Sequence, residues 1–351
     1  MMKQLSIKEF TVFKQAGFEF SPNLNILVGE NGTGKSHILK LVYALIAENN
    51  SKTRKKSQGP ISRASVGVPE RNIDYVDKLV NVFRADSIES LIRIKKDLPF
   101  AGSVDLSFKD SRFDCSFTHR RSYEGVAIFT PDPPEEWESV TAVFIPTREL
   151  LTIYPNFASL YEARYLEFEE TYYDTCLLLG EPLLKKPMID LLEILESAMG
   201  GKTELDRGRF YFVTPEQGKI EMPMVAEGIR KLAMLAQLIA VGALKKKGYL
   251  FWDEPEANLN PRLIKIVASV IYQLSKMEIQ IFIATHSLFL LRELEVLQGA
   301  EKKALPQRYF ALKKSNDGVE LEQGDTIEDI NTLVLLDEEL LQSDRYMALE
   351  S

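Results

Sequence analysis

The stretch that decides the fold is a glycine-rich loop preceded by an apolar run: Asn23-Leu24-Asn25-Ile26-Leu27-Val28, then Gly29-Glu30-Asn31-Gly32-Thr33-Gly34-Lys35-Ser36. The loop matches the phosphate-binding pattern G-x-x-x-x-G-K-[ST] at every fixed position. The apolar run predicts a buried strand, and residues 36–46 carry apolar side chains at helical spacing. Strand, loop and helix in this order favour a phosphate site over the alternative, a glycine turn with a solvated lysine.

This loop supplies the first candidate site residues. Lys35 is expected to reach the β- and γ-phosphates of a nucleotide, and the Ser36 hydroxyl is expected to bind Mg²⁺. Backbone N–H groups of a glycine loop and of the following helical turn also point at phosphate oxygens. The other predicted nucleotide-binding residues are therefore Glu30, Asn31, Gly32, Thr33, Gly34 and His37.

The composition is that of an ordinary globular chain, with 351 residues, 45% of them hydrophobic and 27% charged. The net charge of −8 gives no global reason to expect nucleic acid, although basic clusters at 52–56, 120–121 and 245–247 leave it open as a partner. The two cysteines, Cys115 and Cys176, are typical of a reducing compartment. No apolar run fits a signal peptide or a bilayer span, so we expect a cytoplasmic protein without membrane contact.

Periodicity along the chain predicts strands that alternate with helices, which is the pattern of an α/β protein. Strands are expected within 3–28, 102–130, 140–145, 208–224, 248–252, 279–284 and 309–322. Helices are expected at 73–97, within 157–200, and at 227–246, 261–276 and the C-terminus. We therefore predict a mixed central sheet with an N-terminal antiparallel β-layer and a helical insertion.

This pattern divides the chain into four predicted parts. An N-terminal lobe at 1–148 holds the glycine loop, the β-layer and the helical segment 73–97. A helical insertion follows at 149–207, then a C-terminal lobe at 208–325 and a C-terminal helix at 326–351.

Two further strands end in residues that suit phosphate chemistry. The apolar strand at 249–252 runs into Asp253 and Glu254, and the strand at 281–285 runs into His286. Parallel strands deliver such residues to one edge of a sheet, where ligands bind. Asp253 can hold Mg²⁺ and Glu254 can orient or deprotonate an attacking water, the alternative being an acidic turn. His286 can touch the γ-phosphate, although a lone histidine is more often structural.

Together these segments resemble the ABC-type ATPase superfamily. The resemblance is to its soluble branch, which includes the head domains of chromosome-maintenance and recombination proteins and stand-alone ATPases of phage-defence systems. It covers the Walker A loop at 29–36, the Walker B strand at 249–254, the D-loop at 257–261 and the switch histidine His286. It implies a P-loop NTPase fold of the ABC-ATPase type, with ATP and Mg²⁺ as ligands and ATP hydrolysis as the activity.

The resemblance also implies a signature motif that acts on the nucleotide of a second subunit. The best match is Ala226, Glu227 and Gly228 at the start of a predicted helix, with Ala226 where the family usually places a serine. In the D-loop, Asn258 and Asn260 would couple the two nucleotide sites of the dimer to each other.

In this family a segment called the Q-loop couples nucleotide to a partner or to the inserted lobe. No glutamine of this chain stands in a clear Q-loop position. The candidate equivalent is Thr147 and Arg148, where the arginine could contact phosphate or form a structural salt bridge. Candidate aromatic side chains against adenine are Phe10, Phe13 and Phe18, but such residues are more often part of the core.

The function implied is a homodimer, or a higher assembly of dimers, that sandwiches ATP and opens on hydrolysis. We expect no effector within this chain and therefore a separate nuclease-like or toxin-like effector, in anti-phage defence or DNA metabolism. The alternative is an assembly scaffold that binds ATP with negligible turnover. A transporter ATPase subunit is less favoured, because it would normally carry the signature serine and a coupling glutamine.

Overall fold

The computed structural model describes residues 1–50, 70–93, 101–108, 112–120, 123–130, 141–164, 166–301, 304–331 and 333–349. Strands β1 to β14 are Met2–Phe10, Phe13–Glu19, Leu24–Gly29, Ala101–Phe108, Arg112–Arg120, Tyr123–Thr130, Ala142–Ile145, Lys202–Asp206, Arg209–Thr214, Gly218–Glu221, Tyr249–Asp253, Gln280–Thr285, Gln307–Ser315 and Gly318–Gly324. Helices α1 to α9 are Lys35–Asn50, Glu70–Phe83, Phe157–Ala163, Glu170–Leu179, Ile189–Met199, Glu227–Ala240, Pro261–Lys276, Leu288–Gly299 and Val334–Met347.

A six-stranded mixed sheet in the order β14-β13-β3-β12-β11-β7 forms the centre of the fold. All its pairings are parallel except that of β13 with β14. In register, Val28 of β3 pairs with Thr285 of β12, and Ala284 of β12 pairs with Asp253 of β11. The three strands that precede the predicted site residues therefore end at the same edge of the sheet.

Both faces of this sheet are covered, which explains why its strands are nearly continuous apolar runs. One face, with Ile26, Trp252 and Ile283, packs into a core shared with the helices that follow β7. The other face, with Phe251 and Phe282, packs into a core shared with α1, α2 and the β-layer.

The β-layer is an antiparallel sheet in the order β2-β1-β4-β5-β6, as the alternating pattern of the sequence predicts. A separate small sheet, β10-β9-β8, contains the predicted hairpin with its turn at 215–217. The predicted α/β class with a mixed central sheet and an antiparallel layer is confirmed.

Helices α3, α4 and α5 lie within the predicted insertion, and α4 is tied to α1 and α2 by a buried polar cluster. Lys78 Nζ of α2 donates to Asp174 Oδ2 of α4 at 2.6 Å and to Glu170 Oε1 at 2.9 Å. Tyr43 of α1 also donates to Asp174, at 2.6 Å. The helix that follows the glycine loop is thus fixed to the inserted helices.

Two predicted helices are shorter than the sequence pattern suggested. The helix expected at 73–97 ends at Phe83, where Arg84 takes a left-handed φ of 56°; a single 3₁₀ turn follows at Ile88–Leu91, and residues 94–97 lie outside the described residues. The helix expected at 227–246 ends at Ala240, and Gly242 has a φ of 72°, the conformation that commonly terminates helices. In both cases the helical spacing of apolar residues continues past the point where the backbone leaves the helical conformation.

Strand β8 was not predicted, because its residues are all at least partly exposed and so carry no apolar alternation. Phe10, Phe13 and Phe18 are almost fully buried, as the favoured alternative of a core role predicts. Lys245, Lys246 and Lys247 are exposed, while the basic clusters at 52–56 and 120–121 lie outside the side chains that the structure describes.

Across the described parts of the chain, no helix combines the length and apolarity that crossing a membrane requires.

Candidate functional site

The glycine loop connects β3 to α1 in a shape that requires glycine. Gly32 and Gly34 have φ values of 78° and 87°, in the left-handed region. A Cβ atom on Gly34 would lie 2.6 Å from ring carbon Cε2 of Phe13, so the turn between β1 and β2 leaves room for hydrogen only. The loop backbone is therefore free to approach a ligand closely. Thr33 is buried and braces the loop through a 2.8 Å hydrogen bond from its Oγ1 to the Glu30 carbonyl.

Lys35 is folded over this loop. Its Nζ donates to the carbonyl oxygens of Gly29 at 2.7 Å and Glu30 at 2.9 Å. Burial lowers the pKa of Lys35, and the nearby carboxylates of Glu254 and Asp253 oppose that effect. A buried ammonium held only by carbonyls gains from an added anion, which a phosphate would supply.

Ser36 and Asp253 meet across the edge of the sheet. Ser36 Oγ donates to Asp253 Oδ1 at 3.0 Å. Burial raises the pKa of Asp253, and the Ser36 hydrogen bond opposes that shift. A buried carboxylate beside a hydroxyl offers the oxygen donors that Mg²⁺ prefers, and a cation would offset its desolvation. These two residues could therefore hold the ion.

Glu254 and His286 form the next contact along this edge. The His286 Nδ1 atom lies 3.2 Å from Glu254 Oε1, and the imidazole side chain is 48% exposed. Glu254 has a left-handed φ of 48°, which a residue with a side chain adopts at a cost of about 1–2 kcal/mol. This turn ends β11 and directs the carboxylate towards His286, so both predicted catalytic side chains face the same space.

The predicted signature residues begin α6, whose first turns contact the catalytic loops of the same chain. Ala226 is the exposed N-cap residue and makes no side-chain capping bond. Glu227 Oε1 accepts a 2.9 Å hydrogen bond from Asn258 Nδ2 of the D-loop. A Cβ atom on Gly228 would lie 2.8 Å from the Asn258 carbonyl, so the D-loop packs directly on the helix start.

The remaining predicted residues have more local contacts. Asn260 caps α7, with its Oδ1 accepting from Leu263 N at 3.0 Å. The His37 ring packs edge-on against Phe83, and burial lowers its pKa to about 4, so the imidazole is neutral at pH 7. Arg148 is exposed and Thr147 is half-buried. Within the described part of the chain Arg148 forms no salt bridge, whereas its neighbour Glu149 pairs with Arg230 of α6 at 3.1 Å.

Three charged residues at the site escaped the sequence analysis. Buried Lys231 of α6 donates from Nζ to the carbonyls of Glu254 at 2.5 Å and Ala257 at 3.3 Å, and burial lowers its pKa to about 8. Glu256 is a buried carboxylate next to His286. Lys314 Nζ lies 3.7 Å from where a Cβ atom of Gly32 would be. The only sequence signal was the third carboxylate of Asp253-Glu254-Pro255-Glu256.

Comparison with known proteins identifies the family of this chain. A family model described as "AAA domain, putative AbiEii toxin, Type IV TA system" matches residues 24–292, which is more than half of the chain. The chain belongs to this family. The match begins at β3 and ends in α8, so it includes the glycine loop, the Walker B strand and His286.

Solved structures with the same fold include SMC head domains. The head domain from Thermotoga maritima covers 93% of this chain at a TM-score of 0.51 and 12% identity. A head with an extended coiled coil, derived from Pyrococcus furiosus and bound to the C-terminal domain of ScpA, covers 98% at a TM-score of 0.54 and 14% identity. At such identities the likeness establishes the fold alone.

Curated relatives include the DNA replication and repair protein RecF. The protein from Streptococcus agalactiae serotype Ia is 38% identical over 53 residues, 15% of this chain and 14% of RecF. The protein from Streptococcus uberis is 27% identical over 88 residues, 25% of this chain and 22% of RecF. The chain thus matches less than a quarter of the RecF length. Together with the family match, these similarities identify the chain as a P-loop ATPase of the ABC, SMC and RecF type.

Proposed function

We propose that this chain is an ATP-hydrolysing switch that dimerises around nucleotide and controls a separate effector. The observation that carries the proposal is the convergence of Lys35, the Ser36–Asp253 pair and the Glu254–His286 pair at one edge of the central sheet. Phosphate binding, cation binding and proton transfer are the three requirements of ATP hydrolysis, and each has a residue at this edge.

In the proposed reaction, the loop backbone and Lys35 bind the β- and γ-phosphates. Ser36 and Asp253 would hold Mg²⁺, which would offset phosphate charge. Glu254 orients the attacking water and accepts its proton at a carboxylate oxygen. His286 contacts the γ-phosphate through the ring nitrogen that faces away from Glu254.

The proposed dimer places the start of α6 from one copy against the γ-phosphate held by the other. The first N–H groups of a helix have no partner within the helix and attract anions. Ala226 and Glu227 are exposed, and Met224, two residues before Ala226, is 79% exposed. An exposed methionine beside an anion-binding helix start fits a surface that a second copy covers.

Contacts within each chain would transmit closure to the chemistry. Arg230 joins α6 to the loop after β7 through Glu149, and Lys231 joins it to the carbonyl of Glu254. Asn258 joins the D-loop to Glu227. A shift of α6 on meeting the second nucleotide therefore reaches Glu254 directly, and loss of the γ-phosphate releases both copies.

For the biological role we propose control of a nuclease-like or toxin-like effector in phage defence. The family description, with its putative toxin and type IV toxin–antitoxin system, supports defence, while the RecF likeness supports DNA metabolism. Two SMC heads with this fold are bound to ScpA domains, which fits a head that acts on a partner protein.

The alternative, a scaffold with negligible turnover, is favoured by Ala226 and by the lack of a coupling glutamine. A steady-state phosphate-release assay, with and without double-stranded DNA, separates the two: turnover supports the switch, and ATP binding without turnover supports the scaffold.

Substituting Ala226 tests the proposed dimer contact. Serine and aspartate both cap a helix, so Ala226→Ser and Ala226→Asp should each stabilise the fold by about 1 kcal/mol. Opposite the γ-phosphate they differ, because serine offers a hydroxyl and aspartate a negative charge. We expect Ala226→Ser to tighten ATP-dependent dimerisation several-fold and Ala226→Asp to weaken it at least about tenfold. Sedimentation with ATP, alongside thermal unfolding, measures both. Equal dimerisation by the two variants would contradict the proposed interface.

A further inference from the structure

We propose that Glu256 is a positioning residue for the reaction: it fixes the main chain at His286 and becomes the acceptor for the imidazole when Glu254 turns to the attacking water. The inference rests on the proposed hydrolytic function and adds to it a residue that neither the phosphate-loop pattern nor the strand ends indicated.

Glu256 is 7% exposed and lies directly beneath the switch histidine. Its Oε1 accepts a 2.6 Å hydrogen bond from Thr285 Oγ1 and a 3.1 Å hydrogen bond from the His286 backbone N–H. These two bonds hold the end of β12 at the point where it leaves the sheet. Thr285 is fully buried, so the contact excludes water and has a defined geometry.

One nitrogen of the His286 ring faces two carboxylates. Its Nδ1 atom is 3.2 Å from Glu254 Oε1 and 3.7 Å from Glu256 Oε1. A Glu254 oxygen that is bonded to the ring is less able to accept a proton from water. When Glu254 leaves the ring, Glu256 Oε1 has to come at least about 0.5 Å closer to accept the Nδ1–H. The other ring nitrogen then stays directed at the γ-phosphate.

Two further observations favour a role for the charge of Glu256. Its Oε2 atom is buried and has no hydrogen-bond partner in the described part of the chain, which is rare for a carboxylate oxygen in a folded protein. Its negative charge also favours the ammonium forms of Lys35 and Lys231, which lie on either side of the site. Glu254 and Asp253 act on the two lysines in the same direction, so Glu256 is one of three carboxylates that share this effect.

The test is Glu256→Gln, which keeps the size of the side chain and an oxygen for Thr285 and His286 N but removes the negative charge. We expect the single-turnover rate to fall about tenfold, with ATP affinity changed less than threefold. The same substitution in a His286→Ala background should have almost no further effect, because Glu256 acts through the ring. Radiolabelled ATP resolves the slow rates. Thermal unfolding monitors the fold, and Glu338→Gln on exposed α9 is the matched control.

Each outcome is decisive. A parent chain that binds ATP but shows no hydrolysis contradicts the proposed function itself. A parent with turnover that Glu256→Gln does not slow contradicts this inference, and so does an equal loss of rate with and without the His286 ring. A rise in the dissociation constant for ATP at unchanged rate would assign Glu256 to binding through Lys35 instead.

Discussion

Replacing Lys35 with alanine is expected to raise the dissociation constant for ATP at least 100-fold. The Lys35 ammonium is buried against two loop carbonyls. Charge-assisted hydrogen bonds contribute about 1.5–3 kcal/mol each, so losing the contacts to two phosphates removes about 3 kcal/mol or more. Titration with a fluorescent ATP analogue measures the change.

The same variant should keep its fold. Because burial lowers the pKa of Lys35, keeping this side chain charged costs folding free energy when no anion is bound. Lys35→Ala should therefore leave the thermal unfolding midpoint of the nucleotide-free protein unchanged or slightly higher. Lys202→Ala, an exposed lysine on β8, is the control and should bind ATP normally. Retention of ATP affinity within threefold in Lys35→Ala would show that the loop does not hold nucleotide as proposed.

Replacing Glu254 with glutamine is expected to lower ATP turnover by about 10²–10⁴-fold, the usual contribution of a general base, while ATP binding stays within a few-fold of the parent. Glutamine keeps the size of the side chain and can still bond to His286, but it cannot accept a proton from water. ATP should then persist between the copies, so the closed dimer should accumulate. Phosphate release measures the first effect, and light scattering with ATP measures the second.

Glu216→Gln, in the exposed turn between β9 and β10, is the matched control for this substitution and should change neither quantity. Turnover of Glu254→Gln at the parent rate would mean that another group is the base. Loss of turnover without a longer-lived dimer would support Glu254 as the base. It would contradict the proposal that ATP hydrolysis opens the dimer.

The sequence predicted those parts of the site that local pattern and sheet geometry determine. The loop at 29–36 needs its own glycines, and Asp253, Glu254 and His286 each follow an apolar strand. Once those strands are parallel and in register, their ends meet at one edge. The fold class followed from the same alternation of strands and helices.

What the sequence did not predict depends on tertiary packing. Lys231 lies within a predicted helix, and the packing of α6 on the turn after β11 brings its ammonium to the Glu254 carbonyl. Glu256 contacts a residue 29 positions away along the chain. The helix expected at 73–97 failed because Arg84 takes a left-handed conformation that apolar spacing does not reveal. The division into lobes, and the roles of the individual site residues, stay predictions.

The central claim is that each ATP is held by the loop of one copy and the α6 start of the other. Mixing Lys35→Ala protein with Ala226→Asp protein tests it most directly, because each alone has two defective sites. In a mixed dimer one site combines the intact Lys35 of one chain with the intact Ala226 of the other. We predict that mixing restores ATP turnover, up to about a quarter of the parent rate if copies pair at random in a two-fold dimer. A mixture that is no more active than the sum of its two components would contradict the account.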